Sequence, residues 1–152
     1  MEGYLDFKTR PREYAKARLM EALTEAKLAE EMLSRELYQN AANKAFTALK
    51  ALLSALVVLE AIEKIRDEKR REWYMKVGYA APTTGMLKIA KDLESLGYSG
   101  VELATRTALM LRRLAYNGLD PNFVDYADLE EVEADVRQLV DYVRRVAAQV
   151  GA

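Results

Sequence analysis

Three arginines and a tyrosine stand together in the last third of the chain, as Arg106, Arg112, Arg113 and Tyr116, with Asn117 directly after them. Arginine presents a planar fork of donors that matches a phosphate, and an aromatic ring offers a stacking surface to a base. The set therefore suits RNA or a nucleotide in single-stranded form. The plainer alternative for Arg112 and Arg113 is a solvated pair near a helix C-terminus, where the helix dipole favours cations. A second set, Asn43, Thr47, Lys50 and Ser54, recurs at steps of three and four along an otherwise apolar stretch. On a helix it forms a thin polar seam that could line a small-ligand pocket, with the Lys50 ammonium attracting an anion, although lysine more often reaches out to water.

Weaker candidates complete the inventory. Tyr79, Pro82, Thr83 and Thr84 precede Gly85 in a loop that leads into a helix, where free backbone N–H groups favour an anion. The stretch VGYAAPTTG lacks the GxxxxGK pattern followed by Ser or Thr, so a nucleotide-binding loop is not supported. Glu21 with Glu25, and Glu60 with Glu63, share helix faces; a metal there would have only oxygen ligands, and solvated surface charge is the commoner use. Lys69, Arg70 and Arg71 could touch nucleic acid, but Asp67, Glu68 and Glu72 cancel much of their field.

What is absent narrows the chemistry further. The 152 residues include no histidine and no cysteine. Histidine is the usual acid–base group near neutral pH and the commonest transition-metal ligand, so Ser-His-Asp triads, HExxH zinc sites and Glu-x-x-His di-iron sites are excluded. Thiolate metal sites and disulfides go with the cysteines, which fits a reducing compartment. No catalytic residue, metal or cofactor is expected from these residues. Lys plus Arg total 23 against 24 Asp plus Glu, a net charge of −1 that gives no global pull toward nucleic acid or acidic membrane. Met1 to Arg10 is mixed and charged, unlike a signal peptide. The longest apolar run, Ala51 to Leu59, is interrupted by Ser54 and falls short of the roughly 20 residues that span a bilayer. A cytoplasmic protein without membrane contact is the expectation. Few Asn and Gln beside many Glu, Lys and Arg hint at a thermophile.

The elements that must carry these groups are helical, since 7 Gly and 3 Pro leave little material for many tight turns. Pro11 suits a first helical turn, and Tyr14, Leu19, Met20, Leu23, Leu28, Met32 and Leu33 follow a period near 3.6 residues, predicting a helix over about 11–35. A second, over about 37–71, contains no Gly or Pro and should be the longest, its charged end Arg66 to Glu72 forming a solvated helix end or protruding turn. A third runs from about Gly85 to Leu96 with Thr84 placed to cap it. A fourth opens after Ser99-Gly100 and ends near Tyr116, with Val101, Leu103, Ala104, Leu109, Met110, Leu111 and Leu114 as its apolar face. The last follows Tyr126, with Asp128, Glu130, Glu131 and Glu133 near its positive end and Arg144 and Arg145 near the other. Its inward stripe is Leu129, Val132, Val136, Leu139, Val140, Val143 and Val146.

This order predicts one all-α domain over 1–152, with a core of about 11–146, built as an antiparallel bundle of about five helices. The second helix is hydrophobic on nearly all sides, so it must be central or be covered by another subunit. A homodimer, with the Leu49 to Leu59 region against or beneath a partner copy, is the expectation.

The small-residue opening Asn40-Ala41-Ala42-Asn43-Lys44-Ala45-Phe46, running into Ala48-Leu49-Lys50-Ala51-Leu52, resembles the archaeal PaREP1 family. So does Tyr116-Asn117-Gly118-Leu119-Asp120-Pro121, followed by an acidic-led last helix. The resemblance covers about residues 11–146, and it implies a HEPN-like helical bundle. Many HEPN proteins are dimeric, metal-independent ribonucleases with an Arg-x4–6-His motif on a late helix. Here Arg112 and Arg113 are followed by Leu114-Ala115-Tyr116-Asn117, so asparagine stands where histidine would fall. An amide cannot exchange a proton as imidazole does, and the activity is not carried over. Two functions stay open: a non-catalytic interaction or nucleic-acid-associated module, and a degenerate or unusual RNA- or nucleotide-directed hydrolase using Arg112, Arg113 and Tyr116.

Overall fold

Alanine and leucine dominate residues 38–56, and both are strong helix formers. In the computed structural model, which describes residues 5–151, this segment runs as the helix α2 (Tyr38–Lys64), with a π-helical turn at Val57–Ala61 near its end. The other helices are α1 (Pro11–Ser34), α3 (Glu68–Lys76), α4 (Met86–Ser95), α5 (Val101–Asn117) and α6 (Leu129–Gln149). No strand occurs among the described residues, and the expected helical bundle stands with six helices rather than five. Residues 1–4 of the N-terminal stretch read above lie outside the described residues.

The added helix comes from a break where the sequence suggested continuity. Ile65 leaves the helical region with φ −76° and ψ 122°, and the Asp67 carboxylate accepts the Arg70 backbone N–H at 3.0 Å. That cap starts α3 afresh, so Asp67 serves the backbone rather than the side chains of Arg70 and Arg71. Thr84, by contrast, caps nothing: a 3-10 turn at Thr83–Gly85 leads into α4 without a side-chain cap.

α2 is buried on almost every side. Leu49, Leu52, Leu53 and Leu56 have no exposed surface, and Leu59 is half-buried. By length and composition this helix is apolar enough to cross a membrane, which the count of one uninterrupted run did not suggest; 72% of the relevant window is buried inside the bundle. All of this cover comes from one chain. A partner copy is therefore not needed to shield the Leu49 to Leu59 region, and that reason for a dimer falls away.

The cover on one side is α1. Its buried residues are Ala15, Leu19, Ala22, Ala26, Ala29 and Leu33, a strict alternation of four and three that turns one narrow stripe toward α2. Small side chains on both helices let the backbones approach closely. Pairing of Tyr14 with Ser54 and of Glu25 with Lys44 shows the two running antiparallel. Met20, expected in the stripe, is 60% exposed.

α5 and α6 close the other sides. Val132, Val136, Leu139, Val140, Val143 and Val146 are buried as the pattern required, whereas Leu129 lies at the exposed first turn. On α5, Leu103 points outward, and Thr105 and Ala108 take the inward positions. Asp128 caps α6 by accepting the Glu131 N–H at 2.9 Å, and Glu131 accepts the Ala127 N–H at 2.6 Å. Arg144 is not a dipole partner at the helix end: it reaches sideways to Glu30 of α1 in a two-pronged pair at 2.5 and 2.8 Å. Its hydrogen bonds hold the Glu30 carboxyl below the usual range.

Two local devices hold the short helices. Trp73 lies across Gly78 and Gly85, where an added Cβ would sit 2.6 Å from the indole ring. Beneath it the buried Tyr74 hydroxyl donates to Asp92 at 2.5 Å, and Arg70 pairs with the same carboxylate. Burial pushes the Tyr74 phenol up to about 12. At the α4–α5 corner the Glu94 carboxylate accepts the backbone N–H groups of Gly100 and Glu102, each at 3.0 Å, capping α5 from a neighbouring helix. These bonds lower the Glu94 pKa.

Glu94→Gln should lower stability by about 0.5–1 kcal/mol, the lower part of the capping range because the site faces solvent. A carboxylate with a depressed folded pKa contributes fully above its unfolded value near 4.5 and loses the contribution as pH falls through the folded value. Urea unfolding of the two proteins should therefore differ at neutral pH and converge in acid. Gly85→Ala should cost about 1–3 kcal/mol by overpacking against Trp73. Trp73 is the sole tryptophan, so its emission should shift to the red in this variant, and Trp73→Phe in the same chain should recover part of the loss.

Candidate functional site

Helix geometry separates the arginine set into two. At 3.6 residues per turn, Arg112 and Tyr116 share one flank of α5, while Arg106, Arg113 and Asn117 share another. The second group is occupied locally. Arg106 pairs with Glu102 at 3.4 Å, Arg113 approaches Asp125 at 3.9 Å, and the Asn117 amide donates to the Arg113 carbonyl at 2.9 Å. Asn117 is thus part of the helix end.

Arg112 is arranged differently. Its guanidinium carbon lies 5.0 Å from the Tyr116 ring centre and 5.8 Å from that of Phe46 on α2. Phe46 is buried and Tyr116 is 70% exposed, so the cation rests on an aromatic pair with one open face. The stack with Tyr116 follows from the i, i+4 spacing. The contact with Phe46 joins residues far apart in sequence, and no local pattern marks it.

Phe46 also brings in the polar seam. Asn43 is exposed, Thr47 and Lys50 are half-buried, and Lys50 follows Phe46 by four residues, one turn along the same side of α2. α1 borders this outward face through Lys44, which pairs with Glu25 at 3.4 Å, and α5 borders it through Arg112. The two sets read separately from the sequence therefore meet along one open track. The Thr47 hydroxyl donates to the Asn43 carbonyl at 2.9 Å, which leaves both on the helix surface. Among the described residues neither Lys50 nor Arg112 has a carboxylate partner, although their neighbours Lys44, Arg106 and Arg113 do.

Ser54 does not belong to the open track. It is fully buried, donating to the Tyr79 carbonyl at 2.5 Å while lying 2.9 Å from the Tyr14 hydroxyl. Tyr79 stacks on Phe7 with ring centres 4.0 Å apart, and Tyr14 meets Tyr79 edge-on. This aromatic plug ends the seam. It also gives Tyr79 a structural task, and the loop beyond it is filled by the Trp73 ring above Gly85.

The seam is a surface track and not the pocket suggested by its spacing. Two hollows, of about 540 and 440 Å³, lie elsewhere, one between α5 and α6 and one beside the start of α2, and neither is lined by Lys50 or Arg112. Of the carboxylates considered for a metal, Glu21 is engaged with Arg18 at 2.8 Å, Glu25 with Lys44 and Glu60 with Lys64, while Glu63 is exposed near the end of α2. Of the charged run, Arg70 is held by Asp92, and Arg71 donates to the Ile62 carbonyl at 3.1 Å.

No curated protein and no solved structure matches the chain. A family profile does, over residues 17–140, which is well over half of the 152 residues, and the chain accordingly belongs to the archaeal PaREP1/PaREP8 family.

Proposed function

We propose that this protein is a non-catalytic, HEPN-like helical module that holds a single-stranded RNA segment along the outward face of α2 and its border with α5. One observation carries the reading: Arg112, stacked between buried Phe46 and open Tyr116, and Lys50 one turn from Phe46, are cations without a carboxylate partner among the described residues. Phosphates bind the two cations, and a base lies on the open face of Tyr116. Asn43 and Thr47 supply uncharged hydrogen-bonding groups between them.

Proton transfer is the missing ingredient for cleavage. Arginine stays protonated throughout the physiological range, and with no histidine in the chain the track has no group whose ordinary titration lies near neutral pH. Binding without turnover is what such a surface does best.

Fluorescence anisotropy with a labelled single-stranded RNA tests the assignment. Tyr116→Ala should weaken binding by about 5- to 150-fold, the range of one lost base stack. Lys50→Ala should weaken it as well and make the slope of log affinity against log salt shallower by about 0.7, the loss of one phosphate contact. Affinity unchanged in both variants would remove the proposal. Cleavage of the RNA by wild type, lost in the Arg112→Ala, Arg113→Ala double variant, would instead establish the hydrolase alternative.

A further inference from the structure

The hollow of about 540 Å³ between α5 and α6 is distinct from the RNA track. Ala104, Leu139 and Tyr142 line it with apolar surface, and Leu103, Asp141 and Arg145 stand among the lining residues with their side chains in reach of solvent. Leu103 is 72% exposed, more than any other leucine among the described residues. An isobutyl group in that position gains free energy when it is covered. Asp141 and Arg145 sit one turn apart on α6, and among the described residues neither has an ion-pair partner; the Arg145 guanidinium lies 5.5 Å from the Tyr142 ring centre.

This face therefore carries a projection beside a hollow and a carboxylate beside a guanidinium. Such a surface is complementary to itself. Under a twofold rotation the Leu103 of each copy meets the hollow of the other, and Asp141 of each faces Arg145 of the other when the α6 helices run antiparallel. An isologous interface requires this double pairing, whereas an unrelated partner would need only one member of each pair. The other hollow has apolar walls at Leu37, Leu119 and Leu129 but only Glu36 among charged residues, so it lacks the matched pair. A net charge of −1 adds little repulsion between copies.

We infer that a second copy of this chain docks on the α5–α6 face, with Leu103 in the opposing hollow and Asp141 against Arg145 across the axis. Leu103 and Arg112 are nine residues apart on α5, about 180° around the helix at 3.6 residues per turn. The dimer consequently leaves the Arg112 flank of each copy open, and the inference stands or falls independently of the RNA reading.

Sedimentation equilibrium of the full chain from micromolar to millimolar concentration provides the test, with circular dichroism confirming that each variant is folded. Wild type should dimerise within this range. Leu103→Asp should weaken the dimer by at least about 100-fold, since the change is met twice across the axis. Leu103→Ser, which removes the projection without adding charge, should act in the same direction. Asp141→Arg and Arg145→Asp alone should each weaken it by about tenfold or more, and the two together should restore most of the loss because the pair is merely reversed. A monomer throughout, a dimer indifferent to both Leu103 variants, or a double reversal no tighter than either single one would overturn the inference. The affinity for an RNA too short to reach both tracks should be unchanged in Leu103→Ser; its loss there with the dimer intact would bear against the separation of the two surfaces.

Discussion

The constraint on which the rest depends is the oiliness of α2. A 27-residue helix with leucine, alanine or valine on most of its circumference must be walled in, and each neighbour answers part of that demand. α1 does so through alanines, which individually bury little area but bring two backbones into dense contact, so that dispersion over the whole seam replaces large side chains. α5 and α6 supply leucines and valines on the remaining sides. α4 adds Met86, Ile89 and Leu93 to the core, while α3, in which Tyr74 is the buried residue, is held to it by the Trp73 clasp and the Arg70–Asp92–Tyr74 cluster. Between Ala41 and Val58 the side of α2 left short of full burial is the one carrying Asn43, Lys44, Thr47 and Lys50. Placement of the candidate site is thus a consequence of core packing.

Charge use follows from the same architecture. Arg144 ties α6 to α1, Lys44 ties α2 to α1, and Arg70 ties α3 to α4. Partly exposed pairs of this kind contribute modestly to stability, yet they fix which faces meet. Against this background an unpartnered cation resting on aromatic rings is informative. Arg112 lies on Phe46 and Tyr116 and, among the described residues, has no carboxylate partner.

Large apolar residues at helical spacing made the bundle and most of its inward faces readable in advance, including the valine stripe of α6. The errors share a physical origin. Met20 and Leu103 fit a 3.6-residue period by size and hydrophobicity, but the faces they occupy are uncovered, and α1 turns its alanines inward instead. Alanine reads as a helix filler in a single sequence, so its role as a packing surface is hidden. The break at Ile65 carries no Gly or Pro to mark it, and Asp67, which by its charge offsets the neighbouring arginines, also caps the helix that starts there. At the site, the Arg112–Tyr116 stack was legible from i, i+4 spacing. Phe46 was not, since it joins α2 to α5 across the fold, and without it the seam and the arginines looked like two unrelated features. Ser54 belonged to the seam by spacing yet is sealed by Tyr14 and Tyr79, a contact set by tertiary structure alone.

Near-neutral net charge has a consequence for how the track would work if, as proposed, it holds RNA. Without a long-range field, encounter with RNA is not steered, and two cations release few counterions, so the electrostatic share of affinity is small. Stacking on Tyr116 must then carry much of the binding, and stacking is tolerant of sequence because every base has a π-face. Selectivity for unpaired strands follows, since bases in a duplex offer no free face. A weak, sequence-tolerant track gains most from repetition. In the dimer proposed above, two copies would present two tracks, and once a strand occupied the first, the second would be engaged at an effective concentration set by their separation. If both proposals hold, the exposed leucine on one flank of α5 and the exposed tyrosine on the other are parts of one arrangement, in which self-association would compensate for the sparse charge of each site.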